Sequence, residues 1–295
     1  MEGLLQLVLD SVPSALSKAA YRRALLEFFS WFNRHRELGL TKATVQKFRT
    51  ELEQRGLAPP SVNIRLSAIR RLAAEAADNG LMPPELAAGI LRIKGARYRG
   101  AKIGTWLSPE QAVKLLSLPD RSTTKGRRDC ALLSLLVGSG ARRSELSDLS
   151  FGHLQMRDGR WVIADLVGKH GRIRTIPIPD WVKHAIDEWS SCTGVHEGYV
   201  LRRVNKAGHV SRDRLTPESV YKIVQHYAGL LGLRIVPHDL RRTHAKLAHK
   251  GGAALEQIRF ALGHASVRTT EIYLGLKQDL KDAPCDHLNL LTEGL

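Results

Sequence analysis

The chain has 295 residues, which is long enough for two domains that each bury a hydrophobic core. Its 45 Lys and Arg against 29 Asp and Glu give a net charge of +16, which points to a polyanionic partner such as nucleic acid. Three widely separated cysteines without a CxxC pair disfavour a zinc finger and indicate reduced thiols in a cytoplasmic protein. The N-terminus lacks the basic start of a signal peptide, and the apolar run Cys130–Val137 is too short to span a bilayer. We therefore expect no membrane role.

Residues 1–91 are predicted to form a helical domain. A broad apolar stripe predicts a helix over Ser17–Phe32, with basic residues on the opposite face. A threonine N-cap precedes a second helix, Lys42–Arg55, and proline pairs at residues 59–60 and 83–84 open a third and a shorter fourth. Taken alone, four helices with basic outer faces are as typical of a bundle with solvated charges as of a DNA-binding domain.

Residues 92–105 are predicted to form a basic linker between two domains. The segment 92–102, RIKGARYRGAK, contains five basic residues, two glycines and no acidic residue. Residues 1–105 carry 17 basic and 9 acidic side chains, so the two parts of the chain are both basic. A basic linker between them is expected to follow a phosphate backbone, although an ordinary solvated surface has the same composition.

Residues 106–295 are predicted to combine helices with a small antiparallel sheet. Ser108 caps a helix that ends at Pro119. A glycine break over residues 138–140 then precedes a new helix that begins with Arg142. The predicted strands are Phe151–Met156, Trp161–Val167, Ile173–Ile178 and a short strand at Tyr199–Leu201. The other predicted helices cover about residues 128–137, 180–189 and 216–231.

The 37 residues from Pro237 to Tyr273 are predicted to form three short helices. The first runs to about Lys250, the second is closed by Gly263, and Ser266 caps the third. The chemically active side chains on these helices are His238, Arg241, His264 and Tyr273. Arginine binds phosphate through a planar fork, imidazole transfers protons near neutral pH, and a tyrosine hydroxyl can act as a nucleophile. The set suggests phosphoryl transfer, although each residue alone is more typical of a solvated surface or a core.

Two further residues fit such a site. Arg142 opens a helix after a glycine break, so its guanidinium and the helix N-terminus both favour an anion. Glu145, one turn later, is positioned to orient it. Lys169 lies at the tip of a glycine-flanked hairpin turn, from which its ammonium can reach into a groove.

The order of these motifs along the chain resembles that of the tyrosine recombinases, or phage-type integrases, which include the Xer-type recombinases and lambda integrase. The first box is GARRSEL at residues 140–146, and the lysine turn is GKHGRIR at residues 168–174, followed by Thr-Ile-Pro. The second box is HDLRRT at residues 238–243, followed by LGH at residues 262–264 and by Tyr273. Departures from the family pattern are small, and Arg242 in place of the common His or Lys is not expected to affect the chemistry.

The resemblance implies a mainly α fold with a small antiparallel β-sheet, in the α+β class. Residues 1–91 would be a helical DNA core-binding domain and residues 106–295 a catalytic domain, which together close as a C-shaped clamp on double-stranded DNA. Family members recombine as homotetramers on two DNA sites, whereas a monomer or dimer is expected away from DNA. The tail at about residues 276–295 resembles the segment that packs on the next subunit.

The resemblance also assigns the covalent chemistry. Tyr273 would attack the scissile phosphate and form a 3′-phosphotyrosine, which conserves the bond energy so that rejoining needs no ATP. Lys169 would protonate the leaving 5′-oxygen, and His238 would help to accept the tyrosine proton. Whether Tyr273 acts in its own subunit or in an adjoining one is left open.

The remaining roles concern the charge of the phosphate. Arg142 and Arg241 would hold the nonbridging oxygens as charge develops in the transition state, and His264 would add a hydrogen bond. Because two arginines serve as the electrophile, no metal and no cofactor are expected.

Three alternatives compete with this interpretation. A type IB topoisomerase uses the same chemistry to relax DNA, and a non-catalytic relative would bind DNA without cutting it. A metal site is the third, built from the histidines at positions 238, 244, 249 and 264. It is disfavoured because His238 and His244 are six residues apart on a helix and face different ways.

Overall fold

The computed structural model describes residues 2–97, 105–168 and 171–275. The chain divides into two compact units, residues 1–101 (unit 1) and residues 102–295 (unit 2). The described residues are mostly helical with two small antiparallel sheets, which confirms the predicted α+β class. None of the described helices has the length and apolar character needed to cross a membrane.

Unit 1 contains five α-helices in its described part. They are α1 (Glu2–Asp10), α2 (Ala15–Asn33), α3 (Lys42–Gln54), α4 (Pro59–Asp78) and α5 (Pro84–Leu91). The Thr41 side chain accepts a hydrogen bond from the backbone of Thr44, which confirms the predicted start of α3. Helix α1 was not predicted, because it is short and its apolar residues become informative only once they are buried against α4. The core is aromatic at its centre, where Phe28 meets Phe48 edge to face at 5.2 Å.

The beginning of the predicted linker packs against unit 1. Ile93 is buried, and Asn63 donates to the carbonyl of Ala96 at 3.1 Å and accepts from its amide at 2.7 Å. Arg70 and Arg49 also donate to the carbonyls of Ile93 and Lys94. A basic composition therefore did not show which residues are anchored, because side chains from distant helices satisfy the backbone of the segment.

Unit 2 builds its described part from eight α-helices and five strands. The helices are α6 (Pro109–Ser117), α7 (Thr124–Ser139), α8 (Arg143–Ser147), α9 (Asp180–Thr193), α10 (Pro217–Leu230), α11 (Pro237–Lys250), α12 (Leu255–Leu262) and α13 (Val267–Leu274). Strands β1 (Leu154–Arg157), β2 (Arg160–Val167) and β3 (Ile173–Pro177) form an antiparallel sheet in that order, and β4 (Arg202–Val204) pairs with β5 (Val210–Arg214). Helix α7 is buried over most of its surface and forms the centre of the unit.

Two predicted strands differ from the structure. Phe151–His153 forms a 3-10 turn, because the ring of His153 accepts a hydrogen bond from the backbone of Ser150 and closes the turn. The predicted strand Tyr199–Leu201 lies just before β4, and its apolar residues serve the core. The carbonyl of Val200 accepts a hydrogen bond of 2.7 Å from the buried Trp189 indole. Burial of Val200 and Leu201 thus mimicked a strand pattern at the second place.

The three short helices predicted for Pro237–Tyr273 form and contact one another. Helix α11 packs on α7, α12 lies against β3, and α13 contacts both α11 and α12. Gly263 ends α12 with φ of 62°, in the left-handed region, and Ser266 caps α13 through the amide of Thr269. These contacts bring the end of α7, the start of α8, β3 and α11–α13 to one part of unit 2.

We predict that Asn63→Ala loosens the end of unit 1. Loss of both bonds to Ala96 should lower the free energy of local opening by about 1–3 kcal/mol, because the Ala96 amide then lacks its buried partner. Hydrogen exchange of the Ala96 amide in the full chain measures this change. Asn79→Ala, at an exposed asparagine bonded to the carbonyl of Glu75, is the matched control, and equal exchange in the two variants would contradict the prediction.

Candidate active site

Five of the six predicted site residues lie where the end of α7, the start of α8, β3 and α11–α13 meet in unit 2. Arg142, His238 and Arg241 line one cavity of about 280 Å³. The ring of Tyr273 lies 5.5 Å from that of His238 and 5.3 Å from that of His264, measured between centroids. Lys169, the sixth, lies outside the described residues. Side chains that are up to 131 positions apart in sequence therefore share one basic region.

Arg142 is held at the start of α8 by a carboxylate in the same turn. Its backbone N–H donates to Glu145 Oε2 at 2.7 Å, and its Nη1 donates to Glu145 Oε1 at 2.7 Å. The arginine side chain is 32% exposed, so its guanidinium remains accessible from the cavity. Glu145 therefore both caps the start of α8 and orients the Arg142 guanidinium.

Glu145 also binds a second arginine. Arg174 on β3 donates from Nη1 to Oε1 at 3.0 Å and from Nη2 to Oε2 at 2.8 Å. Glu145 is only 5% exposed, and burial by itself raises the pKa of its carboxyl group. The hydrogen bonds and charges of Arg174 and Arg142 outweigh burial and hold that pKa below its ordinary value. The carboxylate is therefore ionised at neutral pH.

Arg241 is 2% exposed and is fixed by backbone carbonyls. Its Nη1 donates to the carbonyl of Gly140 at 2.6 Å, and its Nη2 donates to the carbonyl of Leu262. Burial, followed by the charge of Arg142, lowers the pKa of Arg241 to about 10, which leaves it protonated at neutral pH. Gly140 has φ of 61°, and a Cβ there would lie 2.7 Å from the ring of His244. The glycine break is thus required for both backbone shape and close packing.

His264 follows Gly263 directly and points toward the same region. Its Nδ1 lies 3.0 Å from the hydroxyl of Thr270 on α13. Burial, together with the positive charges of Arg241 and Arg142, lowers the pKa of His264 to about 4. The imidazole is therefore neutral at physiological pH and acts as a hydrogen-bonding group rather than as a charge.

Tyr273 and His238 form an aromatic pair with their rings nearly perpendicular, at 80°. The tyrosine hydroxyl donates to the backbone carbonyl of His238 at 3.3 Å. Burial raises the pKa of Tyr273, although the charges of Arg241 and Arg242 oppose the rise. Partial burial, Arg242 and Arg241 also lower the pKa of His238, so a neutral imidazole stands beside a protonated phenol.

The sequence interpretation missed the role of two arginines. Arg242, expected to be irrelevant to the chemistry, lies with its guanidinium 4.8 Å from the centre of the Tyr273 ring. Its Nη1 lies 3.5 Å from Asp239, which holds it there. Arg174 was part of the lysine-turn motif, but its spacing gave no sign that it would reach Glu145. Both contacts are tertiary, and motif spacing alone contains no information about them.

Within the described ranges, no three His, Cys, Asp or Glu side chains lie close enough together to hold a metal ion. His244, one of the considered ligands, lies with its Nδ1 2.9 Å from the carbonyl of Val137.

Comparison with known families gives two matches. The model of the Phage integrase family matches residues 105–279, and that of the Phage integrase, N-terminal SAM-like domain matches residues 4–80. A tyrosine recombinase XerC from Roseiflexus castenholzii is 30% identical over 285 residues, covering 93% of this chain and 87% of the relative. A tyrosine recombinase XerC from Xylella fastidiosa is 29% identical over 266 residues, covering 89% and 87%.

Solved structures show the same fold. The XerH site-specific recombinase bound to palindromic difH substrate, in a post-cleavage complex, has a TM-score of 0.71 at 22% identity and covers 90% of this chain and 77% of that one. A lambda integrase dimer bound to a COC' core site has a TM-score of 0.69 at 16% identity, covering 95% and 79%. The likeness therefore extends over both units.

We predict that Glu145→Gln destabilises unit 2 by about 3–5 kcal/mol, since it leaves the buried Arg174 guanidinium and the partly exposed Arg142 guanidinium without their counter-charge. Urea denaturation of the full chain at pH 7 measures the loss. The folded pKa of Glu145 is lowered, so its stabilisation is complete above the ordinary value of 4.5 and disappears as the pH falls through the folded value. The variant should accordingly lack part of the acid sensitivity of the wild type. Glu256→Gln, at an exposed carboxylate on α12, should match the wild type.

We predict that the His264 ring stays neutral from pH 8 down to about pH 5 and gains a proton only near pH 4, because burial and then the charges of Arg241 and Arg142 lower its pKa. NMR of the chain labelled at histidine follows the ring signals, and His264→Asn assigns them. Titration of His264 close to pH 6.5 would contradict the proximity of these positive charges.

Proposed function

This chain belongs to the phage integrase family and is a tyrosine site-specific recombinase, and we propose that it cuts and rejoins DNA through a 3′-phosphotyrosine formed on Tyr273. Two observations carry the proposal: Arg142, Arg241 and His238 line one cavity, and the ring of Tyr273 packs against the rings of His238 and His264. Unit 2 is proposed to be the catalytic domain, and unit 1 the domain that binds the core of the DNA site.

In the first step the Tyr273 hydroxyl attacks the scissile phosphorus. The new bond joins the phenolic oxygen to the phosphorus, and the bond to the 5′-oxygen breaks. A phenol with a raised pKa needs an acceptor for its proton, and the neutral imidazole of His238 beside it is proposed to serve. Resealing reverses the same step, so no external energy source is required.

The negative charge of the transition state is proposed to be stabilised by Arg142 and Arg241. Both guanidinium groups line the cavity, and both are fixed before DNA arrives, Arg142 by Glu145 and Arg241 by two carbonyls. Donors that are already oriented lose little free energy to reorganisation during the reaction. This preorganisation supports a direct role in catalysis rather than general attraction of DNA.

His264 is proposed to donate a hydrogen bond to a nonbridging oxygen. If the Thr270 hydroxyl donates to Nδ1, the neutral ring carries its proton on Nε2 and presents an N–H to the phosphate. The lowered pKa supports this neutral form across the physiological range.

Lys169 is proposed to protonate the leaving 5′-oxygen. This role comes from the family motif, since the residue lies outside the described part of the chain. The described residues on either side of it are joined by a hydrogen bond of 2.7 Å from the Gly168 amide to the carbonyl of Arg172. This bond between Gly168 and Arg172 restrains the backbone on both sides of Lys169, which supports a defined position for its side chain.

The proposed partner is a double-stranded DNA recombination site, bound by a homotetramer during synapsis. The similar XerH and lambda integrase structures are complexes with such sites, and the net charge of +16 fits a polyanion. The tail proposed to join subunits, at about residues 276–295, lies outside the described residues. The proposed site of action is the cytoplasm, which agrees with the reduced cysteines expected from the sequence.

A topoisomerase or a non-catalytic relative is not favoured by the comparisons, whose named relatives are recombinases. One assay distinguishes recombination from topoisomerase activity. Two duplexes that carry the same target should yield exchanged junctions if the chain recombines, whereas relaxation of supercoiled DNA without exchange would indicate a topoisomerase.

We predict a covalent adduct between the chain and a pool of nicked DNA duplexes with a randomised central segment. The adduct should resist SDS, retain a label placed on the 5′ end of the cut strand, and release a fragment with a free 5′-hydroxyl. Tyr273→Phe should abolish it, because the attacking oxygen is gone. Sequencing the trapped DNA would identify the target.

Tyr199→Phe, at an exposed tyrosine away from the cavity, is the matched control and should form the adduct as the wild type does. An adduct that persists in Tyr273→Phe, or DNA binding by the wild type with no adduct at all, would refute the proposed chemistry.

A further inference from the structure

We propose that Arg174 is a positioning residue for catalysis, which directs the Arg142 guanidinium toward the scissile phosphate. The inference rests on the proposed function, since it concerns the same phosphate site. It assigns a role to a residue of β3 that does not line the cavity itself.

The argument begins with the capacity of the Glu145 carboxylate. An ionised carboxylate offers about four lone-pair positions. Oε1 accepts from Arg142 Nη1 and Arg174 Nη1, and Oε2 accepts from the Arg142 backbone and Arg174 Nη2. All four positions are therefore used, and Arg174 takes two of them.

This occupancy limits how Arg142 can bind. With two positions taken by Arg174 and one by its own backbone, Arg142 has a single side-chain bond to Glu145, through Nη1. The other two guanidinium nitrogens of Arg142 make no hydrogen bond to this carboxylate. Without Arg174, a bidentate pair between Arg142 and Glu145 becomes the favoured geometry, because parallel N–H donors match a carboxylate. That rotation would withdraw the guanidinium from the phosphate.

Arg174 also reaches the segment that carries His264. Its Nε donates to the carbonyl of Ala261 at 3.0 Å, at the end of α12. A Cβ on Gly263 would lie 3.0 Å from Arg174 Cδ, so the backbone just before His264 rests on this side chain. The neighbouring carbonyl of Leu262 accepts from Arg241. One side chain thus contacts both the carboxylate that holds Arg142 and the end of α12, which binds Arg241 and leads into His264.

The same side chain contacts the base of the lysine turn. A Cβ on Gly168 would lie 2.9 Å from Arg174 Nη1 and 3.4 Å from Glu145 Oε1. Gly168 is therefore required for close approach, since any larger residue would displace the arginine from the carboxylate. Gly168, which directly precedes Lys169 in sequence, therefore lies against the ion pair between Arg174 and Glu145.

A buried ion pair can be purely structural, so the test needs a readout that stability alone would not change. Arg174 is 10% exposed at its side chain, and its loss should lower stability in either case. A positioning role predicts in addition that the loss depends on the charge of the scissile phosphate. A methylphosphonate at that position lacks one charged nonbridging oxygen and so makes less use of the arginine clamp.

The experiment measures single-turnover cleavage of a nicked duplex recovered from the adduct screen, with either a phosphate or a methylphosphonate at the scissile position. Arg174→Met should slow cleavage of the phosphate substrate about 10- to 100-fold, as expected for a displaced catalytic group. The loss on the methylphosphonate should be several-fold smaller, and the Kd for DNA should change less than about threefold. Arg174→Lys keeps the charge but not the fork, so it should fold better than the methionine variant and keep the same substrate-dependent loss.

The matched control is Arg157→Met, which removes a surface arginine of β1 that also pairs with a carboxylate, and it should cleave both substrates like the wild type. Equal losses on the two substrates, no loss on either, or a loss confined to DNA affinity would overturn the positioning role. If Arg174→Met does not fold, Arg174→Lys decides between these outcomes. Failure of the wild type itself to form the Tyr273 adduct would instead refute the proposed function.

Discussion

The site depends on one buried carboxylate whose four acceptor positions are all filled by arginine N–H groups. Glu145 accepts hydrogen bonds from the backbone and side chain of Arg142 and from both terminal nitrogens of Arg174. These bonds join α8 to β3. Arg174 then reaches the end of α12, and Arg241 is bound to the same end from α11. Elements distant in sequence are thereby held together by charge-assisted bonds to a carboxylate that is 5% exposed, and such bonds are strong where water is largely excluded.

The same arrangement sets the protonation of the site. Four arginines (Arg142, Arg174, Arg241 and Arg242) bring positive charge to the site, against the two carboxylates Glu145 and Asp239. Burial, together with this excess of positive charge, lowers the pKa of His264 and of His238 and keeps both rings neutral. The imidazoles can then serve as proton acceptor and hydrogen-bond donor at a pH where free histidine is partly charged. The same arginines and carboxylates therefore determine both the geometry of the site and the protonation of its histidines.

The sequence revealed the parts of the fold that local chemistry determines. Helix α11 has its predicted bounds, and the caps of α3 and α13 lie where Thr41 and Ser266 indicated, because capping depends on neighbouring residues only. Motif order likewise identified the residues around Tyr273. The contacts of Arg174 and Arg242 remained hidden, since they cross between elements, and burial of Val200 imitated a strand. Propensity and spacing do not encode such tertiary choices.

The partners of Arg241 have a consequence for the handling of the protein. A guanidinium that is fixed by carbonyl oxygens keeps its whole charge, whereas one fixed by a carboxylate is neutralised. The DNA-free protein therefore presents a nearly uncompensated cation at the bottom of a small hollow. Sulfate and inorganic phosphate suit that position, and any ion that binds only the native state raises the melting temperature. The choice of buffer salt is therefore expected to affect activity measurements, since such anions would compete for the position proposed for the scissile phosphate.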